Sequence, residues 1–316
     1  MIVTVTPNPS IDRTITLDRL HRGHVNRAIG LRDDPGGKGV NVSRALAAHG
    51  TDTLAILPVG RESATLVSSL LDDAAVRHKL IDLPGAVRQN ITVAEADGTT
   101  TKINEPGNLC SPEDADAMLS AIDRQLPRAT WLVGSGSLPP GLGDDFYSRL
   151  VDLARRHNLR SAIDTSGAPF AHVVAAGPDI VKPNHHELTE YAGRELPQLA
   201  DVVLAAQDIV ASGIHTVVVS LGAHGAIAVT ADETLHATAE APTSRSTVAA
   251  GDCLLAGYLH ATENGANTSD ALITAVQWGT ASVGLPGSAV PGPSDVSGID
   301  CRLLPGPALH LAMTTD

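Results

Sequence analysis

Short apolar runs rich in β-branched residues alternate along the chain with stretches of helical periodicity. The runs Ile2 to Val5, Thr53 to Val59, Thr130 to Val133, Ser161 to Ile163, Ile180 to Val181 and Thr216 to Val219 predict buried strands. Helices are predicted between them at Gly39 to Ala48, Ala64 to Asp73, Pro112 to Gln125, Asp144 to His157 and Leu199 to Ser212, with two longer ones at 252–264 and 268–284. This order of elements predicts an α/β fold with a mainly parallel sheet covered on both faces.

Two stretches break the pattern. Residues 12–17 with 27–33, and 88–95 with 99–103, alternate polar and apolar positions, the second pair around the hairpin dipeptide Asp97-Gly98. Such strands are half exposed, so a small sheet projecting from the body would cover a ligand or meet a second subunit. Residues 225–238, divided at Asp232, predict a further hairpin. No repeat or Pro/Gly/Ser linker divides the chain, so residues 1–316 are expected to form one domain.

Charge and composition narrow the partners. The formal net charge is −13 and aromatics make up only 2%. That leaves no basic stripe for phosphate backbones and little for bases to stack on, so nucleic acid is excluded. No stretch approaches the ~18 apolar residues of a membrane span. The three cysteines, Cys110, Cys253 and Cys301, are dispersed and odd in number; neither a disulfide framework nor a zinc site is expected, and a cytoplasmic location fits best. Only four of the 22 basic residues are lysines, and Lys38, Lys102 and Lys182 sit in motif-like surroundings.

Several segments have the chemistry of anion and hydroxyl binding. Asp34-Pro35-Gly36-Gly37-Lys38-Gly39-Val40-Asn41 joins an exposed strand to a helix; it reads as a plain turn or as a loop whose backbone approaches a ligand, and Lys38 and Asn41 favour the latter. Thr247-Val248-Ala249-Ala250-Gly251-Asp252-Cys253 precedes an apolar helix, so Asp252 is either a dipole-complementing residue or a base beside a bound phosphoryl group. In Lys182-Pro183-Asn184-His185-His186-Glu187, Asn184 and Glu187 form a capping box or an Mg²⁺-holding pair. Ser220 to Gly225 makes a tight turn where backbone would approach a nucleotide, and Ser135 to Gly141 puts small hydroxyl residues at a strand's carboxyl end. Arg27, Arg88 and Lys102 lie on or beside the proposed projecting sheet, as solvated surface charges or as an anion clamp.

Taken together, TPNPSID at 6–12, PGGKGVN at 35–41, RQN at 88–90, KINEPG at 102–107, GSLPPG at 136–141, KPNHHE at 182–187, SLGAHG at 220–225 and TVAAGD at 247–252 resemble, in order, the ribokinase-like PfkB family of sugar kinases and its phosphosugar branch. The resemblance implies a three-layer α/β/α sandwich with a β-sheet lid, pairing of two chains through their lids, and Mg²⁺-dependent transfer of the ATP γ-phosphoryl group to a sugar hydroxyl. It implies that Asp252 is the catalytic base and that the amides of Ala249, Ala250 and Gly251 form the anion hole. Asp12, Gly37 and Asn41 match sugar-hydroxyl binders. Arg27, Arg88, Lys102 and Ser137 match positions that receive the phosphate or sugar, and Lys38 matches a basic site residue. Asn184 and Glu187 match the pair that organises Mg²⁺ through water; Lys182, Asn184, Ser220, Gly222 and Gly225 lie where ATP binds.

Within the branch, KINEPG resembles 1-phosphofructokinases more than tagatose-6-phosphate kinases or 6-phosphofructokinases, which implies fructose 1-phosphate as acceptor. A catalytically silent sugar-binding regulatory protein is the alternative of a different class. The family usually carries GAGD followed by Ser, and here Ala249 and Cys253 replace the first Gly and the Ser. A methyl at 249 is expected to crowd the anion hole or restrict a positive-φ backbone.

Overall fold

The computed structural model describes residues 1–241 and 245–313. In chain order its first half contains β1 (Ile2–Val5), β2 (Ser10–Leu17), β3 (Gly30–Gly36), α1 (Lys38–Ala48), β4 (Thr53–Pro58), α2 (Arg61–Asp73), β5 (His78–Ile81), β6 (Arg88–Glu95), β7 (Thr100–Asn104), α3 (Pro112–Asp123), β8 (Trp131–Ser135) and α4 (Phe146–Arg156). The second half adds β9 (Arg160–Asp164), α5 (Ala168–Ala176), β10 (Ile180–Val181), α6 (His185–Ala192), α7 (Leu199–Ala211), β11 (Thr216–Ser220), β12 (Ala226–Val229), β13 (Thr234–Ala239), α8 (Ala250–Glu263), α9 (Thr268–Val283), α10 (Pro293–Val296) and β14 (Cys301–Leu303).

Ten strands form one sheet in the order β14-β13-β12-β11-β10-β9-β8-β1-β4-β5, parallel from β11 to β5 and antiparallel in its β12–β14 extension. Alternate residues of its strands enter opposite cores, as the two-residue period requires. Val3, Val5, Leu132, Ile163, Val217 and Val219 pack with α3 to α7 on one face. Ile2, Trp131, Val133, Ala162 and Val218 pack with α1, α8 and α9 on the other, where Ala55 and Leu57 of β4 meet α1 and α2. The result is the expected α/β/α sandwich.

The second sheet has four strands in the order β3-β2-β6-β7. The expected strand at 27–33 lies instead at 30–36, so Pro35 belongs to the strand rather than to the following loop. Because β3 is the sheet's edge, the missing N–H of Pro35 costs no ladder bond. In this sheet Asp12 pairs with both Asp34 and Asn90, and Asn90 pairs with Asn104, which aligns four polar side chains across one face. The opposite face carries Ile15, Leu31, Ile91 and Ile103, and Leu31 and Ile103 stand 71% and 57% exposed.

Among the other elements, α1 starts at Lys38, one residue earlier than expected, and α3 and α4 are shorter than the predicted helices. β5, α5, α10 and β14 were not anticipated, whereas α6 starts where the Asn184–Glu187 spacing placed a helix. Among the described residues no helix is long and apolar enough to cross a membrane.

Candidate active site

Strands β8, β9, β10 and β11 end at Ser135, Asp164, Val181 and Ser220, and their carboxyl ends form the floor of a cleft of about 520 Å³. The N-termini of α1 and α8 enter from one side, and the polar face of the small sheet closes over the top with Asp12, Arg88, Asn90 and Asn104. This is where open α/β sheets bind ligands, because loops diverge there and helix N-termini point inward.

Gly37 caps α1 with φ of 112°, and a Cβ on it would come within 2.6 Å of Thr6 Cγ2. Only glycine takes that backbone in that space. The turn sets the next residue, Lys38, at the cleft floor, where its Nζ donates to Asp164 Oδ1 at 3.0 Å and lies 3.5 Å from Glu187 Oε1. Lys182 reaches the other oxygen of Asp164 at 3.3 Å. Asp164 is fully buried, and although burial opposes its charge, Lys182 and Lys38 hold its carboxyl below the usual carboxylate range. Burial likewise disfavours the Lys38 ammonium, but Asp164, Glu187 and Asp252 outweigh it and raise its pKa.

Asp252 stands in the first turn of α8 and is 5% exposed. Asn41 on α1 donates from Nδ2 to its Oδ2 at 2.9 Å. Burial pushes the Asp252 carboxyl up to about 6 against the pull of Lys38; Asp164 adds to the rise, and Asn41 and Lys182 oppose it. A carboxylate tuned to that range is ionised near neutrality and basic enough to take a proton.

Cys253 N makes the first helical bond, to Ala249 O, so helix geometry leaves the N–H groups of Gly251 and Asp252 without an intrahelical acceptor at the positive end of the dipole. Ala250 N reaches Thr247 O only at 3.4 Å. Ala249 itself takes the left-handed conformation, with φ of 63°.

Asn184 and Glu187 form the capping box of α6: Glu187 N donates to Asn184 Oδ1 at 2.8 Å and Asn184 N to Glu187 Oε2 at 2.9 Å. The same two side chains face the cleft, so capping and ligand duties are compatible. His185 is turned away, with its Nε2 2.9 Å from Leu196 O.

The cleft gathers Asp12, Gly37, Lys38, Asn41, Arg88, Ser137, Lys182, Asn184, Glu187, Ser220, Ala249, Gly251 and Asp252 from the sequence-derived set. Arg88 is held by two backbone carbonyls, with Nε and Nη2 on Asn8 O at 3.3 and 3.2 Å and Nη1 on Glu105 O at 2.8 Å. Arg27, in the loop before β3, and Lys102, on β7, are exposed and do not line the cleft. Lys102 does share the cleft face with Asn104, one pleat farther out. Gly222 and Gly225 sit in the turn after β11, outside the lining, and Ala250 is the first helical residue behind Gly251.

Asp164, Asn8 and the cleft-lining Ser166 escaped sequence reasoning. Asp164 lies just beyond the predicted strand 161–163, and the available signal was an acidic residue at a strand's carboxyl end followed by Thr165, Ser166 and Gly167. Asn8, whose Nδ2 donates to Pro106 O at 3.0 Å and lies 3.3 Å from Ser137 Oγ, ties the floor to the small sheet's end.

Residues 5–295 match the model of the pfkB family carbohydrate kinases. The chain belongs to that family. It is 36% identical over 302 residues to a 1-phosphofructokinase of Rhodobacter capsulatus, covering 94% of this chain and 95% of that one. It is 37% identical over 297 residues to a 1-phosphofructokinase of Haloferax volcanii, with 94% and 95% covered. Among solved structures, phosphofructokinase-2 from Escherichia coli superimposes with a TM-score of 0.89 at 31% identity, covering 94% of this chain and 96% of that one. This pfkB kinase therefore has the phosphotransferase fold that its motifs implied, with the small sheet in the position of a lid.

Proposed function

We propose that this chain transfers the γ-phosphoryl group of ATP to the 6-hydroxyl of fructose 1-phosphate, giving fructose 1,6-bisphosphate and ADP. The observation that carries the reading is the buried carboxylate of Asp252, raised to about 6 and set on a helix turn whose free N–H groups open onto the same cleft. Asp252 takes the proton as the hydroxyl oxygen bonds to phosphorus, and the bond from phosphorus to the ADP oxygen breaks. The free amides of Gly251 and Asp252, with those of Ala249 and Ala250 beside them at the N-terminus of α8, receive the charge that develops; Lys182 stands against Gly251, where a Cβ would lie 3.3 Å from its Nζ, and Lys38 lies on the floor.

The phosphate and hydroxyls of the sugar fall to Asp12, Gly37, Asn41, Arg88 and Ser137, with Lys102 and Arg27 closing from the lid. ATP lies along Lys182, Asn184, Ser220 and the Gly222–Gly225 turn. Asn184 and Glu187 offer the oxygen donors that suit a hard cation kept in its own water shell; Mg²⁺ held there would neutralise charge on the nucleotide phosphates.

Residues 1–316 act in this reading as one kinase unit in the cytoplasm, where the free thiols Cys110, Cys253 and Cys301 stay reduced. The open apolar face of the lid, with Leu31 and Ile103, supports pairing of two chains lid to lid. An assay of ADP release across fructose 1-phosphate, fructose 6-phosphate, tagatose 6-phosphate and free fructose tests the substrate. The highest kcat/KM is expected for fructose 1-phosphate; a higher value for either 6-phosphate moves the chain to that neighbouring activity, and no turnover of any of the four leaves the silent sugar-binding protein.

A further inference from the structure

Arg44 lies two turns into α1, only 7% exposed, and its nearest carboxylate is unusually far for a buried charge. Asp34 Oδ1 stands 3.8 Å from Nη2 and already accepts Nη2 of Arg32 at 2.8 Å. Nε of Arg44 is buried without a hydrogen-bond partner among the described residues. Its hydrogen bonds run from Nη1 to three oxygens: Ser288 O at 2.9 Å, Asn41 Oδ1 at 3.1 Å and Pro35 O at 3.4 Å. A guanidinium buried on these terms is costly, and a hydrophobic side chain would fill the space more cheaply.

The contact with Asn41 gives this charge a task. A guanidinium has only donors and a carboxylate only acceptors. With Arg44 on one side of the Asn41 amide and Asp252 on the other, only one amide orientation satisfies both. Oδ1 must face Arg44, and Nδ2 must donate to Asp252 Oδ2. The amide flipped would set NH₂ against the guanidinium and oxygen against oxygen at Asp252.

We propose that Arg44 is a positioning residue for phosphoryl transfer: it locks the Asn41 amide, which in turn fixes the Asp252 carboxylate and leaves Oδ1 toward the acceptor hydroxyl. Arg44 does not line the cleft, so it acts through Asn41 and not on substrate. The proposal rests on Asp252 being the base, which Asp252→Asn tests separately.

A double-mutant cycle with Asn41→Ala decides it. Arg44→Met is expected to lower kcat about 10–100-fold, the scale of a misplaced catalytic group, with KM for fructose 1-phosphate and ATP changed less than about threefold. In the Asn41→Ala background the same change should cost almost nothing further. Arg44→Lys keeps the buried charge and serves as the second variant of the cycle. Its ammonium cannot fork between Asn41 and Ser288, so it should show the same non-additivity with a smaller loss, about 3–10-fold. Losses that multiply with that of Asn41→Ala, or wild-type kcat in both Arg44 variants, overturn the proposal. If Asp252→Asn leaves kcat unchanged, it is the assignment of the base that fails; if Asp252→Asn is crippled while the Arg44 losses multiply, it is the positioning role.

Discussion

Lys38 Nζ and Asp164 Oδ1, 126 residues apart in the chain, meet at 3.0 Å on the cleft floor. The contact joins the first residue of α1 to the last residue of β9, and with Lys182 on the other carboxylate oxygen it balances two ammonium groups with one buried acid. Glu187, 3.5 Å from the same Lys38 Nζ, and Asp252 add acid to the cluster, so the two ammonium groups are held in place by carboxylates and remain the donors the floor offers to phosphate oxygens.

Replacing Asp252 by Asn removes the proposed proton acceptor and keeps its size. Steady-state kinetics should show kcat lowered by about 10²–10⁴, while sugar and ATP binding measured by calorimetry persist. A variant with unaltered kcat would remove Asp252 from the chemistry.

The pH dependence has a definite sign. Burial raises the Asp252 carboxyl to about 6, so the proton-accepting form is lost as pH falls through that value. The profile of kcat/KM should decline on its acid side with an apparent pKa near 6, and a profile flat down to pH 5 contradicts the assignment.

Lys102 tests phosphate reading from the lid without disturbing the fold, since its side chain is exposed on β7. A charge-assisted hydrogen bond is worth roughly 1.5–3 kcal/mol, so Lys102→Ala should lower kcat/KM for fructose 1-phosphate by about 10–150-fold at 1.36 kcal/mol per tenfold. Free fructose has no phosphate to lose, and its value should hardly move. Equal losses on both substrates would mean that Lys102 supports lid geometry instead.

At position 249 an alanine occupies left-handed backbone, with φ of 63°. The cost to a residue with a Cβ is roughly 1–2 kcal/mol, partly offset by the entropy glycine loses on folding. Ala249→Gly should therefore stabilise the protein by about 0.5–1 kcal/mol in denaturant unfolding and raise kcat if the methyl also crowds the phosphoryl group. A destabilised variant would show that the helix entry has adapted to alanine.

The layered body was legible because its strands are apolar on both faces and its helices keep one stripe apolar. β5 (HKLI) and β14 (CRL) were missed because they are short and polar edge strands that take their conformation from one neighbour. The start of α6 was legible in the Asn184–Glu187 spacing, but its length was not, nor whether the pair caps or binds; the structure makes it a cap on the cleft wall. Asp164 could not be valued from local sequence: what makes it important is two lysines that arrive from distant segments. The same limit applies to Arg44, an ordinary helix residue until Asn41 and Ser288 are seen beside it.

The lid's strict alternation turns its length into a constraint. Asp12, Asn90 and Asn104 face the cleft while Ile15, Leu31, Ile91 and Ile103 face outward in the same ladder. Removing one residue from β2 or β6 would rotate every later side chain of that strand by half a turn, delivering isoleucine to the cleft and aspartate or asparagine to the outer surface at once. Viable variation in these strands must therefore come as substitutions, or as insertions in whole pairs, with length free to drift only in the loops that join them.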